Sequence, residues 1–160
     1  MSKIFDQLYL GSKFEASSLE WLQKNYVTHI VNCAIELPAY FAGEFSYLNL
    51  KLDDVPSQTI YHVLEKSFNF IIDAISKGGT VFVHCAAGIS RSVSIIIYFI
   101  MKSKEITFHK ALEYVKSKRP IASPNQGFVM QLISVSPEIK TYKSEVAERS
   151  QERLYYWPFS

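Results

Sequence analysis

The sequence predicts an α/β fold, a central and mostly parallel twisted sheet of four to five strands flanked by helices. Two observations predict it. Short runs of β-branched and other apolar residues alternate with longer segments whose apolar residues recur every three or four positions, as strands and helices do. Of the 160 residues, 48% are hydrophobic and 20% are charged, which is ordinary for a globular domain and excludes a disordered chain.

The first half of the chain is predicted to supply three strands and one helix. Residues 4–11, 29–33 and 45–52 are rich in β-branched and apolar residues, which is typical of strands. The helix between the first two strands is expected to begin at Ser17, because Ser17 and Glu20 have the spacing of a capping box.

The clearest helix of the chain spans residues 60–75. Gly78 and Gly79 are expected to end it, since glycine accepts the left-handed conformation that follows many helices. Residues 80–83 then predict a strand that is buried on both faces. The residues expected on the buried face of the helix are Ile60, Val63, Leu64, Phe68, Ile71, Ile72 and Ile75.

Three more helices are predicted after that strand. Residues 93–101 are almost continuously apolar and predict a buried helix. A second helix is expected to begin after Thr107 and to end before Pro120. A third is expected to have Ser123 as its N-cap and Pro124 in its first turn.

Charge and cysteine content narrow the classes of function. The 17 Lys and Arg residues exceed the 15 Asp and Glu residues by a net charge of +2, well short of what nucleic-acid-binding domains usually carry. The chain shows no signal-peptide pattern and no apolar run near the ~20 residues of a membrane span. Two cysteines are too few for a disulfide scaffold. We therefore expect a protein of the cytoplasm, and also of the nucleus, with neither nucleic acid nor membrane as a partner.

The segment between the strand at 80–83 and the helix at 93–101 is predicted to bind an anion. Backbone N–H groups of such a loop, together with those at the start of the following helix, can converge on one tetrahedral group. Gly88 permits a backbone angle that a side chain would resist. The residues expected to form this phosphate-binding loop are Ala86, Ala87, Gly88, Ile89, Ser90 and Arg91.

Cys85 begins this loop and is the candidate nucleophile. The donors that hold phosphate also stabilise a thiolate, which can attack phosphorus at neutral pH. The planar guanidinium of Arg91 fits two phosphoryl oxygens, and the Ser92 hydroxyl could donate to the sulfur as it departs. The alternative is an inert buried cysteine in a tight turn. No cluster of metal ligands is evident, since the four His residues are scattered.

His84-Cys85, followed after five residues by Arg91-Ser92, resembles the signature of cysteine-based protein phosphatases. The chain resembles the small dual-specificity phosphatases over residues 4–136. Leu8–Ser12 and His29–Asn32 resemble the first and second strands of that family, and Arg119–Phe128 with Gln131–Leu132 resembles its segment behind the active site. The resemblance implies a catalytic domain over 1–136. It also implies hydrolysis of phosphotyrosine and phosphoserine or phosphothreonine in proteins through a cysteinyl-phosphate, without metal or cofactor.

The resemblance also implies a general acid on a separate loop. The candidates are the adjacent residues Asp53 and Asp54. The second position of this pair matches the family's general acid, which favours Asp54 and leaves Asp53 as the alternative. Asn125 would hydrogen-bond the phosphate-binding loop from behind or begin a helix, and Asn32 has the same ambiguity. His84 is expected to orient the loop rather than to donate a proton.

Other interpretations of the function stay open. A phosphatase-like module could bind phosphoproteins without turnover. Phosphoinositides or RNA could be the substrate, although the loop carries none of the lysines usual in lipid phosphatases. Cys33 is expected to be a small buried hydrophobic residue, the alternative being a disulfide with oxidised Cys85. Residues 137–160 predict a helical tail with an aromatic end, which covers the domain or contacts a partner, such as a second copy in a homodimer.

Overall fold

The computed structural model describes residues 1–137, and they fold around one five-stranded sheet. The strands are β1 (Ser2–Phe5), β2 (Leu8–Gly11), β3 (His29–Ala34), β4 (Ser46–Leu52) and β5 (Val81–His84). Their order across the sheet is β1-β2-β5-β3-β4. β1 pairs antiparallel with β2, whereas the other neighbours pair parallel. The structure thus confirms the predicted mostly parallel α/β fold.

Helices cover both faces of this sheet. They are α1 (Lys13–Ala16), α2 (Leu19–Lys24), α3 (Tyr61–Ser76), α4 (Arg91–Lys104), α5 (Phe108–Lys118) and α6 (Gln126–Ser134). α4 packs against β2, β3 and β5 and also contacts α3, α5 and α6, so it is the central helix of its face. On the opposite face, Leu22 of α2 belongs to a smaller apolar cluster with Ile30 and Phe82. No helix in residues 1–137 is long and apolar enough to cross a membrane.

The single strand predicted over residues 4–11 is wrong, because the structure forms a hairpin there. β1 and β2 are separated by Asp6 and Gln7, which make the turn. This turn contains no Gly or Pro, the strongest turn signals in a sequence. Gln7 is tied to the neighbouring strand, since its backbone oxygen accepts the Val81 N–H at 2.9 Å.

Two predicted N-caps lie at the wrong residue. Ser18 rather than Ser17 caps α2, and Ser17 instead ends the short helix α1. Asn125 rather than Ser123 caps α6, since its Oδ1 accepts the Phe128 N–H at 3.0 Å, and Pro124 lies before the helix and not in its first turn. The cap at Thr107 is confirmed. In the first error, the short helix α1 uses the residue that local spacing favoured.

The buried face predicted for the helix at 60–75 is mostly confirmed. Val63, Leu64 and Ile71 of α3 are buried, and Gly78 follows the helix with a φ of +83°. Ile72 is 39% exposed, so its assignment to the buried face was wrong. At 100° per residue it lies at the edge of the stripe that faces the sheet.

Candidate active site

The phosphate-binding loop joins β5 to α4 at the centre of the sheet. β5 lies between β2 and β3 and runs parallel to both. All four of its residues are buried. The loop therefore leaves the carboxyl end of a fully covered strand, which is where open α/β sheets bind ligands.

Every carbonyl oxygen from Cys85 to Ser90 accepts a hydrogen bond from a group outside the loop. The donors, in order along the loop, are the His84 ring, the Lys13 N–H, Arg119 to both Ala87 and Gly88, the Ser123 N–H and the Ser94 N–H. In a planar trans peptide the N–H points away from the carbonyl oxygen. Because the carbonyl groups are engaged by the surrounding structure, the N–H groups are left to face the centre of the loop.

Gly88 is required by the shape of this loop. Its φ is +68°, in the left-handed region that side chains resist. A Cβ at this position would lie 2.7 Å from the Gly11 carbonyl oxygen and 2.5 Å from Nη2 of Arg119. Glycine therefore allows the backbone of the loop to rest against β2 and the Arg119 side chain.

The sulfur of Cys85 lies inside the ring of loop N–H groups. The Gly88 N–H donates to Sγ at 3.3 Å, and the Ser92 Oγ lies 3.1 Å from Sγ. Cys85 is 2% exposed, and Ser92 is fully buried in the first turn of α4. Hydrogen-bond donors and the N-terminus of a helix both favour a thiolate over a thiol. The structure thus brings the two predicted catalytic residues together.

Arg91 is held rigidly beside the loop by partners that the sequence analysis missed. Its Nη1 and Nη2 donate to the two carboxylate oxygens of Glu36, each at 2.6 Å, and Nη1 also donates to the Leu52 carbonyl at 2.9 Å. Its Nε is buried without a hydrogen-bond partner in residues 1–137. An unpaired buried donor is costly, so this N–H is the one that an anion in the loop would satisfy.

The electrostatic environment keeps Arg91 charged. Burial by itself would lower the pKa of Arg91, but the hydrogen bonds to Glu36 and the charges of Cys85, Glu36 and Asp54 raise it. The Arg91 hydrogen bonds in turn lower the pKa of Glu36.

Glu36 lies just beyond the carboxyl end of β3, and β3 is the neighbour of β5 in the sheet. Its role could have been inferred only if the strand order had been known.

His84 supports the loop as a neutral side chain. It is fully buried and stacks on Phe82 with ring centroids 5.5 Å apart. Its Nδ1 lies 3.2 Å from the Cys85 carbonyl oxygen, where a protonated Nδ1 donates to that oxygen. Burial lowers the pKa of His84 to about 4. An imidazole that is neutral at pH 7 fits the predicted orienting role better than proton donation.

Asn32 does not contact the phosphate-binding loop through its side chain. Its Nδ2 donates to the Leu37 and Pro38 carbonyls at 2.9 and 3.4 Å, and its Oδ1 accepts the Ala34 N–H at 3.1 Å. These bonds order the segment that carries Glu36. Asn32 therefore supports the segment around Glu36, which binds Arg91, and does not hydrogen-bond the phosphate-binding loop from behind as one of the two predictions had it.

Asp54 is connected to the phosphate-binding loop through Asn125. The Asn125 Nδ2 donates to Oδ1 of Asp54 at 3.0 Å, and the Asn125 backbone N–H donates to Oγ of Ser90 at 2.9 Å. Asn125 also caps α6, so both of its predicted roles are present in one residue. Asp53 is held differently, since its backbone N–H donates to Oε1 of Gln58 at 3.0 Å.

Arg119 supports the loop from behind, in the segment that the resemblance placed behind the active site. It ends α5, and its Nε donates to the Gly88 carbonyl at 2.7 Å. The sequence did not indicate which atoms of the loop it contacts. A buried arginine aimed at loop carbonyls balances their partial negative charge and fixes the loop from behind.

Comparison with known proteins agrees with this geometry. The family model "Dual specificity phosphatase, catalytic domain" matches residues 8–137. The chain belongs to this family. The match contains the Cys85 loop, Asp54 and Asn125 together, and it covers nearly all of the residues that the structure describes.

Several relatives in this family are similar over most of the chain. The chain is 39% identical to Protein phosphatase Slingshot of Drosophila melanogaster over 151 residues, which are 94% of this chain and 14% of that protein. It is 46% identical to Dual specificity protein phosphatase 19 of Mus musculus over 125 residues, which are 78% of this chain and 57% of that protein. The chain thus spans only a part of these relatives.

A solved structure shows the same fold. The crystal structure of DUSP15 superimposes with a TM-score of 0.80 at 35% identity, covering 84% of this chain and 85% of that one. The tail predicted over 137–160 lies outside the described residues from position 138 onward. Its proposed contacts, including the homodimer, stay predictions.

Proposed function

We propose that this protein is a dual-specificity protein phosphatase that hydrolyses phosphotyrosine and phosphoserine or phosphothreonine through a cysteinyl-phosphate. One observation carries the proposal. The Cys85 sulfur accepts the Gly88 N–H inside a loop whose carbonyls are all engaged elsewhere, next to the buried unpaired Nε of Arg91. This arrangement can stabilise both an attacking thiolate and the equatorial oxygens of a phosphoryl group.

In the first step, the Cys85 thiolate attacks phosphorus and forms the S–P bond. The P–O bond to the substrate breaks, and Asp54 transfers its proton to the departing oxygen. Arg91 and the loop N–H groups stabilise the charge on the three other phosphoryl oxygens. The product alcohol or phenol leaves, and phosphate remains bonded to Cys85.

In the second step, water displaces the sulfur. Asp54, now ionised, takes a proton from the attacking water as the new P–O bond forms and the S–P bond breaks. The Ser92 hydroxyl lies 3.1 Å from the sulfur and can donate to it as its negative charge returns. Inorganic phosphate leaves, and the enzyme is back in its starting state, because the proton taken from water leaves Asp54 protonated and the broken S–P bond leaves Cys85 ionised.

The mouth of the loop supports a phosphoprotein substrate. Ile89, within the loop, is 37% exposed, and Ile121, two residues before Ser123, is 55% exposed. The Ser123 N–H to Ile89 carbonyl bond ties these two segments together. Apolar side chains beside the site suit a peptide better than the polyanionic headgroup of a phosphoinositide, which calls for added cations.

A phosphoprotein-binding module without turnover is the rival from another class. Turnover of an aryl phosphate in the presence of a metal chelator separates the two. We expect hydrolysis by the wild type and none by Cys85→Ser, which retains the loop and its anion-binding N–H groups. Wild-type protein that binds phosphate but releases no product would refute the enzyme and leave the binding module.

The role of Asp54 has its own test. We expect Asp54→Asn to lower kcat by about 10²- to 10⁴-fold, the range usual for a general acid, and to flatten the part of the pH–rate profile that depends on this acid. Asp53→Asn is the matched control and should behave like the wild type. The opposite result, a loss in Asp53→Asn with Asp54→Asn unaffected, would transfer the role to Asp53.

Substrate class and location follow from the same chemistry. A panel of phosphotyrosine, phosphothreonine, phosphoinositide and RNA substrates, compared by kcat/KM, tests the proposed preference for phosphoproteins.

We also propose that the protein works in a reducing compartment such as the cytoplasm or nucleus, because a thiolate nucleophile is lost on oxidation. Imaging of the tagged full-length protein checks this location.

A further inference from the structure

The general acid stands on a loop that packs against helix α6. This acid loop, residues 53–60, joins β4 to α3 and carries Asp54. Both Asp53 and Asp54 are exposed, so burial of these carboxylates does not fix their position. Asn125 binds the Asp54 carboxylate at 3.0 Å, and contacts along the backbone of the acid loop decide where the rest of this segment lies.

Gln131 of α6 binds the end of the acid loop at two backbone groups. Its Oε1 accepts the Ile60 N–H at 2.8 Å, and its Nε2 donates to the Gln58 carbonyl at 2.9 Å. Nε2 also donates to the Gly127 carbonyl, one helical turn earlier, at 3.1 Å. The side chain amide is thus oriented by its own helix while it binds both a donor and an acceptor of the loop.

Gly127 lets the middle of the acid loop approach the helix. A Cβ added at position 127 would lie 1.9 Å from the backbone oxygen of Pro56 and 2.6 Å from its carbonyl carbon. No side chain fits in that space, because Cβ atoms do not approach backbone atoms so closely. Pro56 is two residues from Asp54, so the close contact acts near the catalytic carboxylate.

Gln58 links α6 to the beginning of the acid loop by hydrogen bonds. While Gln131 binds its backbone carbonyl, the Gln58 side chain accepts the Asp53 N–H at 3.0 Å. Asp53 directly precedes the catalytic acid. The hydrogen bonds therefore run from α6 through Gln58 to the residue before Asp54.

We propose that Gln131 and Gly127 are positioning residues that hold the acid loop in its working position, so that Asp54 is ready for proton transfer before substrate binds. This inference rests on the proposed function. Neither residue touches the reacting atoms. They act on the proton transfers of Asp54, to the leaving group in the first step and from water in the second, whereas attack by Cys85 and phosphate binding by Arg91 do not depend on them.

The test compares aryl phosphates whose leaving groups differ in their need for a proton. In Gln131→Ala we expect kcat/KM for phenyl phosphate, which reports the step in which the leaving group departs, to fall about 10- to 100-fold, a part of the full contribution of a general acid. For an activated nitrophenyl ester, whose leaving group departs without a proton, the fall should stay within about threefold. Gln131→Glu retains the acceptor for Ile60 and should lie between the two.

The controls separate positioning from damage to the fold. Met130→Ala changes the adjacent residue of α6, which is 66% exposed, and should match the wild type on both esters. Gly127→Ala, which pushes the loop outward, should repeat the effect of Gln131→Ala. The rate at which iodoacetamide alkylates Cys85 should stay at the wild-type value in Gln131→Ala, as an intact phosphate-binding loop requires.

Failure of this proposal and failure of the proposed function are distinguishable. If Asp54→Asn loses phenyl phosphate turnover but Gln131→Ala behaves like Met130→Ala, or loses both esters equally, the positioning role is wrong and the phosphatase stands. If Cys85→Ser hydrolyses both esters as fast as the wild type, the proposed function itself is overturned.

Discussion

A single ion pair orients the arginine of the site. The two terminal nitrogens of Arg91 are bound by Glu36 and the Leu52 carbonyl, so the guanidinium cannot rotate about its long axis. Preorganisation of this kind lowers the entropy lost when the anion binds. The Nε N–H, which is buried without a partner in residues 1–137, and the second N–H of Nη2 are left for the anion. Glu36 therefore acts on the reaction through Arg91 and not on the substrate.

Removing the Glu36 charge should weaken oxyanion binding. We expect Glu36→Gln to raise the inhibition constant for phosphate and to lower kcat/KM by about tenfold, the effect of about 1.4 kcal/mol lost from a charge-assisted hydrogen bond. Glu44→Gln, an exposed glutamate later in the same β3–β4 connection, is the control. Equal inhibition constants in the two variants would mean that Arg91 needs no partner to hold its orientation.

At the scale of elements, the phosphate-binding loop is shaped by its neighbours. The loop receives donors from α1, from the end of α5 and from the segment before α6. The strand before it and the helix after it fix only its two ends. The conformation of the loop therefore depends on residues that are distant in sequence.

The arginine behind the loop should be essential for its shape. In Arg119→Met the Ala87 and Gly88 carbonyls lose their donor, and about 2–3 kcal/mol of stabilisation is lost with a charged hydrogen-bonding group. We expect a lower melting temperature and a loss of phosphate protection against alkylation of Cys85. Lys116→Met removes the same charge from an exposed position of α5 and should leave both measurements unchanged. Retained phosphate protection in Arg119→Met would contradict this account.

At the scale of the whole molecule, the catalytic sulfur lies at the end of the central strand, between the helices that cover the two faces of the sheet. β5 runs through the middle of the sheet, and α4 packs on it from one face while the cluster around Phe82 covers the other. His84 sits at this junction, fully buried and neutral. Its protonation would place an uncompensated charge in the interior, so acid should act on the stability of the entire domain.

The pH dependence of unfolding should report on His84. The pKa of His84 in the folded protein, about 4, lies below the usual histidine value of 6.5, so the unfolded chain binds the proton more tightly. Neutral His84 contributes fully to the free energy of unfolding above about pH 6.5. As the pH falls toward 4, this contribution is lost, and the free energy of unfolding decreases by about 3 kcal/mol. Urea denaturation between pH 4.5 and 7.5 measures it.

Comparison with variants isolates the contribution of His84. We expect a variant with a neutral residue there, His84→Asn, to show a smaller decrease in stability over this pH range than the wild type. His109→Asn replaces an exposed histidine and should retain the wild-type slope. A His84→Asn slope as steep as that of the wild type would assign the acid sensitivity to other groups.

The sequence by itself determined the class of fold and the centre of the site. Hydrophobic periodicity located α3 to α5 and the buried strand β5, because burial of one face imposes a repeat that a local pattern displays. The spacing of Cys85, Gly88, Arg91 and Ser92 was also informative about the structure of the site. These residues share one short loop, so their distances in space follow from their distances along the chain.

The tertiary structure alone decided the contacts by which distant residues complete the site. Glu36 comes from the β3–β4 connection and meets Arg91 because β3 and β5 are neighbours in the order β1-β2-β5-β3-β4. Arg119 and Gln131 belong to the segment that the resemblance placed behind the active site, but their partners, the Gly88 carbonyl and the Ile60 N–H, are seen only in the structure. Parallel strands are joined by long crossovers, so chain order does not reveal which strand ends are neighbours. The partners of a known loop are set by that order, and no local pattern records it.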